Sequence, residues 1–262
     1  MRSADIISLP TTRPDLEEFY SPNDDEILSA TARAQENLLQ QQKPDGHWCG
    51  ELIVDSTLCS DYIVFMHWCG EVDAQLQRHC VRHILKRQLP DGGWNIYHGG
   101  PSEINASVKA YLALKLAGSS VDAPFMREAR ATILRLGGIP QMNTFSKLYL
   151  ALLGQFPWKY LPAIPIEMVL LPRWAPFHIY KMSSWSRAML LPLGIINHFK
   201  PTRVLPGDKQ LHELYPLGTE QADLRLPRSE KFWTWRNFFL RLDDTLKFLQ
   251  PLRIGHLRRR AL

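Results

Sequence analysis

The sequence lacks the motifs that usually carry metal or phosphate chemistry. Its nine histidines and four cysteines include no HExxH and no CxxC spacing, which disfavours a metal centre. The glycine pairs at 99–100 and 137–138 are not phosphate-binding loops, and no G-x-S-x-G nucleophile motif occurs. We therefore expect neither a metal nor a cofactor.

Long apolar runs are also missing. The longest wholly apolar stretch has nine residues, from Ala188 to Ile196, and contains Pro192, so we expect no membrane-spanning helix. The first ten residues carry Asp5 beside only a brief apolar run and do not read as a signal peptide. The four cysteines have apolar surroundings typical of core positions, which predicts buried thiols in a reducing compartment.

Charge is distributed unevenly along the chain. Residues 225–262 carry ten Lys or Arg against three Asp or Glu, whereas residues 1–224 carry 21 against 23. Any attraction to an acidic partner therefore belongs to the C-terminal segment. We expect no nucleic-acid partner, because no binding fold or motif accompanies the run from Arg258 to Arg260.

One motif occurs twice. Residues 42–48 and 88–94 both read Q-x-P-D-G-x-W, and their tryptophans lie 46 residues apart, a period typical of helical repeat arrays. Each copy follows a helical pattern, so the Gln amide is expected to bond free backbone groups at the helix end while the indole covers it. Gln and buried Trp are poor acids, bases or ligands, which favours a packing clasp over a catalytic role. The clasp residues are Gln42, Gly46, Trp48, Gln88, Gly92 and Trp94.

The helical patterns alternate between charged and apolar. An apolar helix, 56–68, should be buried on nearly every side, and an amphipathic one, 73–88, should lie outside. A packed helix follows, capped by Ser102 and ended by Gly118, and then the pair 124–136 and 145–153. This alternation predicts an all-α fold, an α/α barrel of paired inner and outer helices.

Composition changes suggest four segments. We predict a polar leader over 1–25, the α/α barrel over 26–200, an irregular Pro-rich connector over 201–230, and over 231–262 a basic amphipathic helix with the expected start of a further barrel. The aromatic stripe of this last helix fits two roles equally well: insertion into a membrane interface, and packing against another barrel. Its membrane-facing candidates are Phe232, Trp233, Trp235 and Phe239.

From about residue 28 onward, several motifs occur in the order found in bacterial squalene–hopene cyclases. They are the paired Gln-to-Trp motifs, Tyr-His-Gly-Gly-Pro at 97–101, Ala-Tyr-Leu-Ala-Leu-Lys at 110–115, Leu-Ala-Leu-Leu-Gly-Gln-Phe-Pro-Trp at 150–158 and Tyr-Lys-Met-Ser-Ser-Trp-Ser-Arg-Ala at 180–188. The chain resembles the N-terminal region of that family, which folds as two α/α barrels, and its barrel resembles the smaller, inserted one. The family's acid lies in a D-x-D-D motif, which is absent here. The near match at 241–245 has Arg241 in the first acidic position, so we predict that Asp243 and Asp244 are solvated charges on a helix face.

The resemblance implies a polyene substrate and a few site residues. Trp185 matches a tryptophan of the family's substrate cavity, and Tyr149 and Phe145 are weaker candidates for its lining; ordinary core packing is the alternative for all three. The implied partners are a squalene-type polyene, a membrane surface, and a second copy or a complementing cyclase half. The implied location is peripheral, on the cytoplasmic side of the cell membrane. The rival hypothesis is a non-catalytic helical module that binds a lipid or a protein.

Overall fold

The computed structural model describes residues 24–50, 54–175, 178–231 and 233–249. Within these ranges all regular elements are helices or 3-10 turns, and no strand occurs, so the predicted all-α class is confirmed. The chain divides into two compact units, 1–53 and 54–262. Most of the predicted leader, 1–23, lies outside the described residues.

Within its described residues, 24–50, the first unit contains the helix α1 (Asp24–Gln41). Its first turn carries Asp24, Asp25 and Glu26, and such negative charges favour a helix N-terminus because they oppose the positive end of the helix dipole. None of its residues is buried.

The second unit holds the remaining helices. They are α2 (Thr57–Cys69), α3 (Ala74–Lys86), α4 (Ile104–Leu116), α5 (Pro124–Arg135), α6 (Thr144–Leu152), α7 (Ser184–Phe199), α8 (Gly218–Gln221) and α9 (Trp235–Leu249). Short 3-10 turns, among them Trp158–Tyr160, lie between α6 and α8. No helix in the described part of the chain is long and apolar enough to cross a membrane.

The core of the second unit is built around α4, which packs against α2 and α5. Ten of its thirteen residues are buried, from Ala106 to Leu116. The expectation that α2 would be buried on nearly every side is wrong. Its contacts with α3 and α4 cover one face, which holds Ile63 and Val64, and leave Leu58 and Phe65 exposed.

The cap of α4 also differs from the sequence pattern. Glu103, not Ser102, is the N-cap residue, and its side chain accepts a hydrogen bond from the Ala106 backbone N–H at 2.8 Å. Ser102 instead donates to Asp91 Oδ1 at 2.6 Å. A carboxylate can serve as the cap just as a hydroxyl does, and the tertiary contact with Asp91 decides between the two neighbours. The predicted stop at Gly118 agrees with its left-handed φ of 96°.

The segment 201–230 is irregular, as expected, but it contributes to the core. Its buried residues are Leu205, Leu211, Leu214, Tyr215 and Leu224. Lys115 of α4, only 5% exposed, donates to the Gln210 carbonyl and to Glu213 Oε1 at 2.5 Å, and Tyr111 donates to the same oxygen at 3.0 Å. This network anchors the segment to the central helix. The four segment bounds drawn from the sequence stay a prediction.

The cysteines do not share one environment. Cys80 is buried and Cys59 is partly buried, whereas Cys49 and Cys69 are exposed. The prediction that all four occupy core positions is therefore wrong. Apolar neighbours in the sequence do not place a helical residue inside, because successive side chains point in different directions around the helix.

Candidate functional site

The second Gln-to-Trp motif joins three elements of the core. The Trp94 side chain is fully buried, and its Nε1 donates to the Ile84 carbonyl in the last turn of α3 at 2.8 Å. The Gln88 amide donates to the Gly92 carbonyl at 2.8 Å and to the Phe125 carbonyl at 2.9 Å. The indole therefore closes the helix end, and the amide ties the turn to the start of α5.

The turn itself presses against α5. Gly92 has a φ of 87°, and a Cβ built there would lie 2.5 Å from the backbone carbonyl carbon of Glu128. Next to it, the Asp91 carboxylate accepts hydrogen bonds from Ser102, from the Gly93 N–H and from Arg135. Burial acts to raise the pKa of Asp91, but these hydrogen bonds and the charge of Arg135 outweigh it and lower the pKa.

The first copy of the motif repeats two of these three bonds within the first unit, but its Trp48 side chain is 51% exposed, so the expected burial of the tryptophan is wrong for this copy. Gln42 donates to the Gly46 carbonyl at 2.7 Å, and Trp48 Nε1 donates to the Leu38 carbonyl at 2.6 Å. Here too the indole bonds a carbonyl ten residues earlier. In both copies the Gln amide bonds the glycine carbonyl of the turn, and the indole N–H bonds a carbonyl at the end of the preceding helix.

Two of the predicted cavity residues lie on α6. Phe145 is 59% exposed, whereas Tyr149, one turn later, is partly buried. The Lys109 ammonium lies 5.0 Å from the centre of the Tyr149 ring and forms a salt bridge with Asp61 at 3.0 Å. A polar cluster of Asp61, Lys109 and Tyr149 therefore joins α2, α4 and α6 beside the exposed Phe145 ring.

The hydroxyl of Tyr149 is held in its neutral form. Burial, followed by the negative charge and proximity of Asp61, raises the pKa of Tyr149 well above its ordinary value. The Tyr149 hydroxyl lies close to Asp61, so that burial and this carboxylate together favour the protonated phenol.

Asp61 and Lys109 were not among the site residues predicted from the sequence. A signal was present, because Asp61 is the sole carboxylate of the otherwise apolar α2, and Lys109 is one of two charges on the almost wholly buried α4. Charged side chains in such helices are rarely buried without a partner. The pattern therefore indicated that each needed a counter-charge, but not which one.

The third predicted cavity residue, Trp185, lies in the first turn of α7. Ser183 caps this helix by accepting a hydrogen bond from the Ser186 N–H at 3.1 Å. The Trp185 side chain is 71% exposed, and nearby the Arg187 guanidinium lies 5.5 Å from the centre of the Tyr180 ring. Among the described rings, none joins Trp185 to α6. A cavity-lining role for Trp185, Tyr149 and Phe145 stays a prediction.

The amphipathic helix α9 exposes a cluster of aromatic rings. The ring centres of Trp235, Phe238 and Phe239 are 5.4–6.1 Å apart, and the three residues are 49–77% exposed. Trp233, just before the helix, is 89% exposed. Phe232, the remaining membrane-facing candidate, lies outside the described residues.

The expectation that both acids of the near-match motif are solvated is wrong for Asp243. Its carboxylate is 12% exposed, accepts the Ala163 N–H at 2.6 Å and pairs with Lys247 at 2.7 Å. Asp244 fits the expectation better, being 60% exposed in a salt bridge with Arg228 at 2.9 Å. The packing of α9 against the Ala163 backbone makes the difference. No cluster of three possible metal ligands occurs in the described ranges.

Comparison with known proteins shows to which family the chain belongs. Residues 31–262 match the squalene-hopene cyclase N-terminal domain family. The chain is 38% identical over 232 residues to a probable squalene–hopene cyclase of Sinorhizobium fredii, covering 88% of this chain and 36% of that protein. It is 35% identical over 249 residues to the squalene–hopene cyclase of Zymomonas mobilis, covering 93% and 36%. It is 30% identical over 223 residues to dammaradiene synthase of Dryopteris crassirhizoma, covering 85% and 32%.

The chain thus spans 32–36% of the length of these three relatives. The match over most of the chain, with the all-α fold and the two Gln-to-Trp clasps, leads to one conclusion: the chain belongs to the squalene–hopene cyclase N-terminal domain family and is a triterpene cyclase-like protein.

Proposed function

We propose that the chain supplies an aromatic wall of a triterpene cyclase that converts a squalene-type polyene into a polycyclic product. The observation that carries the proposal is the exposure of Trp185 and Phe145 on helices that belong to the folded second unit, in a chain of this family. Large exposed aromatic side chains on a packed scaffold are typical of surfaces that meet an apolar ligand or a partner.

The chemistry assigned to this wall is the stabilisation of positive charge. Cyclisation of a polyene needs an acid that protonates a C=C bond, a dry surface that folds the chain, and π faces that stabilise the cation as it moves. Trp185 offers such a face. These 262 residues contain no D-x-D-D motif, so we expect the acid to come from a complementing cyclase part and the isolated chain not to turn over squalene.

The test is complementation. The chain would be co-expressed with the part of the Zymomonas mobilis cyclase that lies beyond the aligned region, and polycyclic products of squalene would be measured. We expect product from the pair and from neither part alone. Product from the isolated chain would refute the assignment of the acid. Failure of the pair, with a lipid or protein partner recovered by the folded chain, would favour the rival hypothesis of a non-catalytic binding module.

Substitutions at Trp185 separate its π face from its bulk. Trp185→Phe keeps an aromatic face, whereas Trp185→Leu keeps an apolar side chain without one. A desolvated cation–π contact contributes about 2 kcal/mol. In the co-expressed pair, the leucine variant should therefore lower the rate of squalene cyclisation roughly 30-fold, and the phenylalanine variant much less. Trp174→Leu, at an 81% exposed tryptophan, is the matched control. Equal losses in the two Trp185 variants would contradict the cation role.

We also propose that the protein works at the cytoplasmic surface of the membrane, docked through α9. Support comes from the exposed rings of Trp233, Trp235 and Phe239 together with the cationic side chains on the same helix. Aromatic rings at headgroup depth with basic residues toward anionic lipid are typical of interfacial helices.

Burying a Phe-sized side chain contributes about 1.5–3 kcal/mol, so Trp235→Ser with Phe239→Ser should weaken vesicle binding about tenfold or more. Trp174→Ser should leave it unchanged, and equal binding by all three proteins would refute the docking face.

A further inference from the structure

A cavity of about 810 Å³ lies between α9, the loop at 223–228 and the 3-10 turn Trp158–Tyr160. It is lined by a face of α9 that includes Leu240 and Asp244, distinct from the ring cluster of Trp235, Phe238 and Phe239. Its volume falls within the range of small-molecule binding sites. The cavity has no part in the proposed cyclisation.

Two cations of the cavity are already neutralised. Lys247 pairs with Asp243 at 2.7 Å, and Arg228 pairs with Asp244 at 2.9 Å. The second oxygen of Asp243 is also occupied, because it accepts the Ala163 N–H at 2.6 Å. These carboxylates are therefore not free to neutralise a further cation in the cavity.

Two other cations of the lining have no such partner. Among the described residues, no carboxylate pairs with the side chain of Lys159 or of Arg225; Lys159 Nζ lies 4.9 Å from the centre of the Tyr160 ring. The remaining acid, Asp223, uses one oxygen to accept the backbone N–H of Arg225 at 3.1 Å. The lining therefore carries four cations against three carboxylates, with the excess charge on Lys159 and Arg225.

The rest of the wall is apolar. Pro140, Leu226, Pro227 and Leu240 line the cavity together with the Tyr160 ring. A site that joins unpaired cations to an apolar wall suits an anion attached to an apolar or glycerol-like body. Arg presents a planar fork that matches phosphate oxygens and Lys acts as a point charge, the two side chains most used for phosphate recognition.

We propose that this cavity binds the phosphate ester of an amphiphile, with the phosphate on Lys159 and Arg225 and the body against Leu226 and Leu240. The ester can be a phospholipid headgroup or a soluble phosphate ester, since both present the same group. The site requires neither the cyclase role nor the aromatic face of α9, so its failure would leave both of those proposals standing.

The test compares two probes. Soluble glycerol 3-phosphate would be titrated against the folded 262-residue chain by calorimetry, with acetate as a carboxylate control. In parallel, the chain would be sedimented with phosphatidylcholine vesicles that contain or lack phosphatidylglycerol. We expect at least one phosphate probe to bind and acetate not to. Vesicle binding that is weakened by Lys159→Gln with Arg225→Gln, without binding of the soluble ester, would identify a lipid headgroup, and binding of the soluble ester alone would identify a free ester.

Variants decide whether the cavity is responsible. Lys159→Gln with Arg225→Gln should weaken phosphate binding about tenfold, the loss expected when a phosphate loses two charged partners. Arg82→Gln with Arg127→Gln removes the same charge from exposed positions of α3 and α5 and should change binding less than about twofold. Equal weakening by both pairs, or no binding of either phosphate probe, would overturn the proposal.

A variant that should bind phosphate more tightly distinguishes loss of the binding site from misfolding of the chain. Asp244→Asn removes the partner of Arg228 and adds a third unpaired cation to the cavity. Phosphate binding should then tighten by a few fold, because a further positive charge lies near the anion. Unchanged or weaker binding by this variant, with circular dichroism showing a folded chain, would also count against the site.

Discussion

Gly92 offers the sharpest test of the clasp geometry. Its φ of 87° lies in the left-handed region, and an added Cβ would meet the backbone of Glu128 at 2.5 Å. The obstacle is a helix backbone, which cannot rotate aside as a side chain can. Gly92→Ala should therefore cost about 1–2 kcal/mol of backbone strain and a further 1–3 kcal/mol of overpacking.

Gly118 provides the matched control within the same unit. Its φ is 96°, yet nothing lies within 4 Å of the position that a Cβ would occupy. Gly118→Ala should therefore cost only the strain, about 1–2 kcal/mol. The entropy that alanine removes from the unfolded chain is the same in both variants and cancels in the comparison.

Thermal unfolding followed by circular dichroism measures the difference. Each kcal/mol shifts the melting temperature of a chain of this size by about 2–4 °C. We expect Gly92→Ala to lower it by roughly 10 °C and Gly118→Ala by roughly 4 °C. Equal shifts would show that the close approach of the turn to α5 is not real, and the described clasp would then be wrong.

Two further predictions concern buried ionisable groups. Lys115→Met should lower the free energy of unfolding in urea by about 3 kcal/mol, because it leaves the Glu213 carboxylate without its cation. Adding Glu213→Met should recover much of that loss. A double variant that is destabilised by the sum of the two single effects would contradict the pairing. Burial, followed by the negative charge of Cys59 and a hydrogen bond to it, raises the pKa of Cys80 from 9.0 to about 11. The folded chain thus favours the neutral thiol, so the stability that Cys80 contributes is fully present below pH 9 and declines as the pH rises towards 11, because the unfolded chain releases this proton first. Cys80→Ala should make the loss of stability between pH 9 and 11 shallower, and an unchanged pH dependence would assign it to other groups.

Much of the local structure could be predicted from the sequence. Pro-Asp-Gly after a helical pattern marks the ends of α1 and α3, and Gly70 and Gly118 end α2 and α4 in the left-handed conformation expected of them. These features depend on a few neighbouring residues, since proline blocks a helix and glycine tolerates positive φ. The family resemblance rested on the same motifs and agrees with the family match over residues 31–262.

The candidate site was predictable only in part. The position of Phe145 and Tyr149 on one helix followed from the predicted helix over 145–153. The polar surroundings of Tyr149 were not predictable, because Asp61 and Lys109 are 48 residues apart and meet only when α2 packs on α4. The same holds for the unpaired cations Lys159 and Arg225.

The sequence by itself determined where most helices end, the two Gln-to-Trp motifs, and the family to which the chain belongs. The tertiary structure alone decided that Glu103 caps α4, that Asp243 accepts the Ala163 N–H, and that Lys115 meets Glu213 almost a hundred residues away. The physical reason is the distance along the sequence between the residues that interact. A turn or a helix end is set by interactions within a few residues, whereas the partner of a buried charge is set by which surfaces the packed helices bring together.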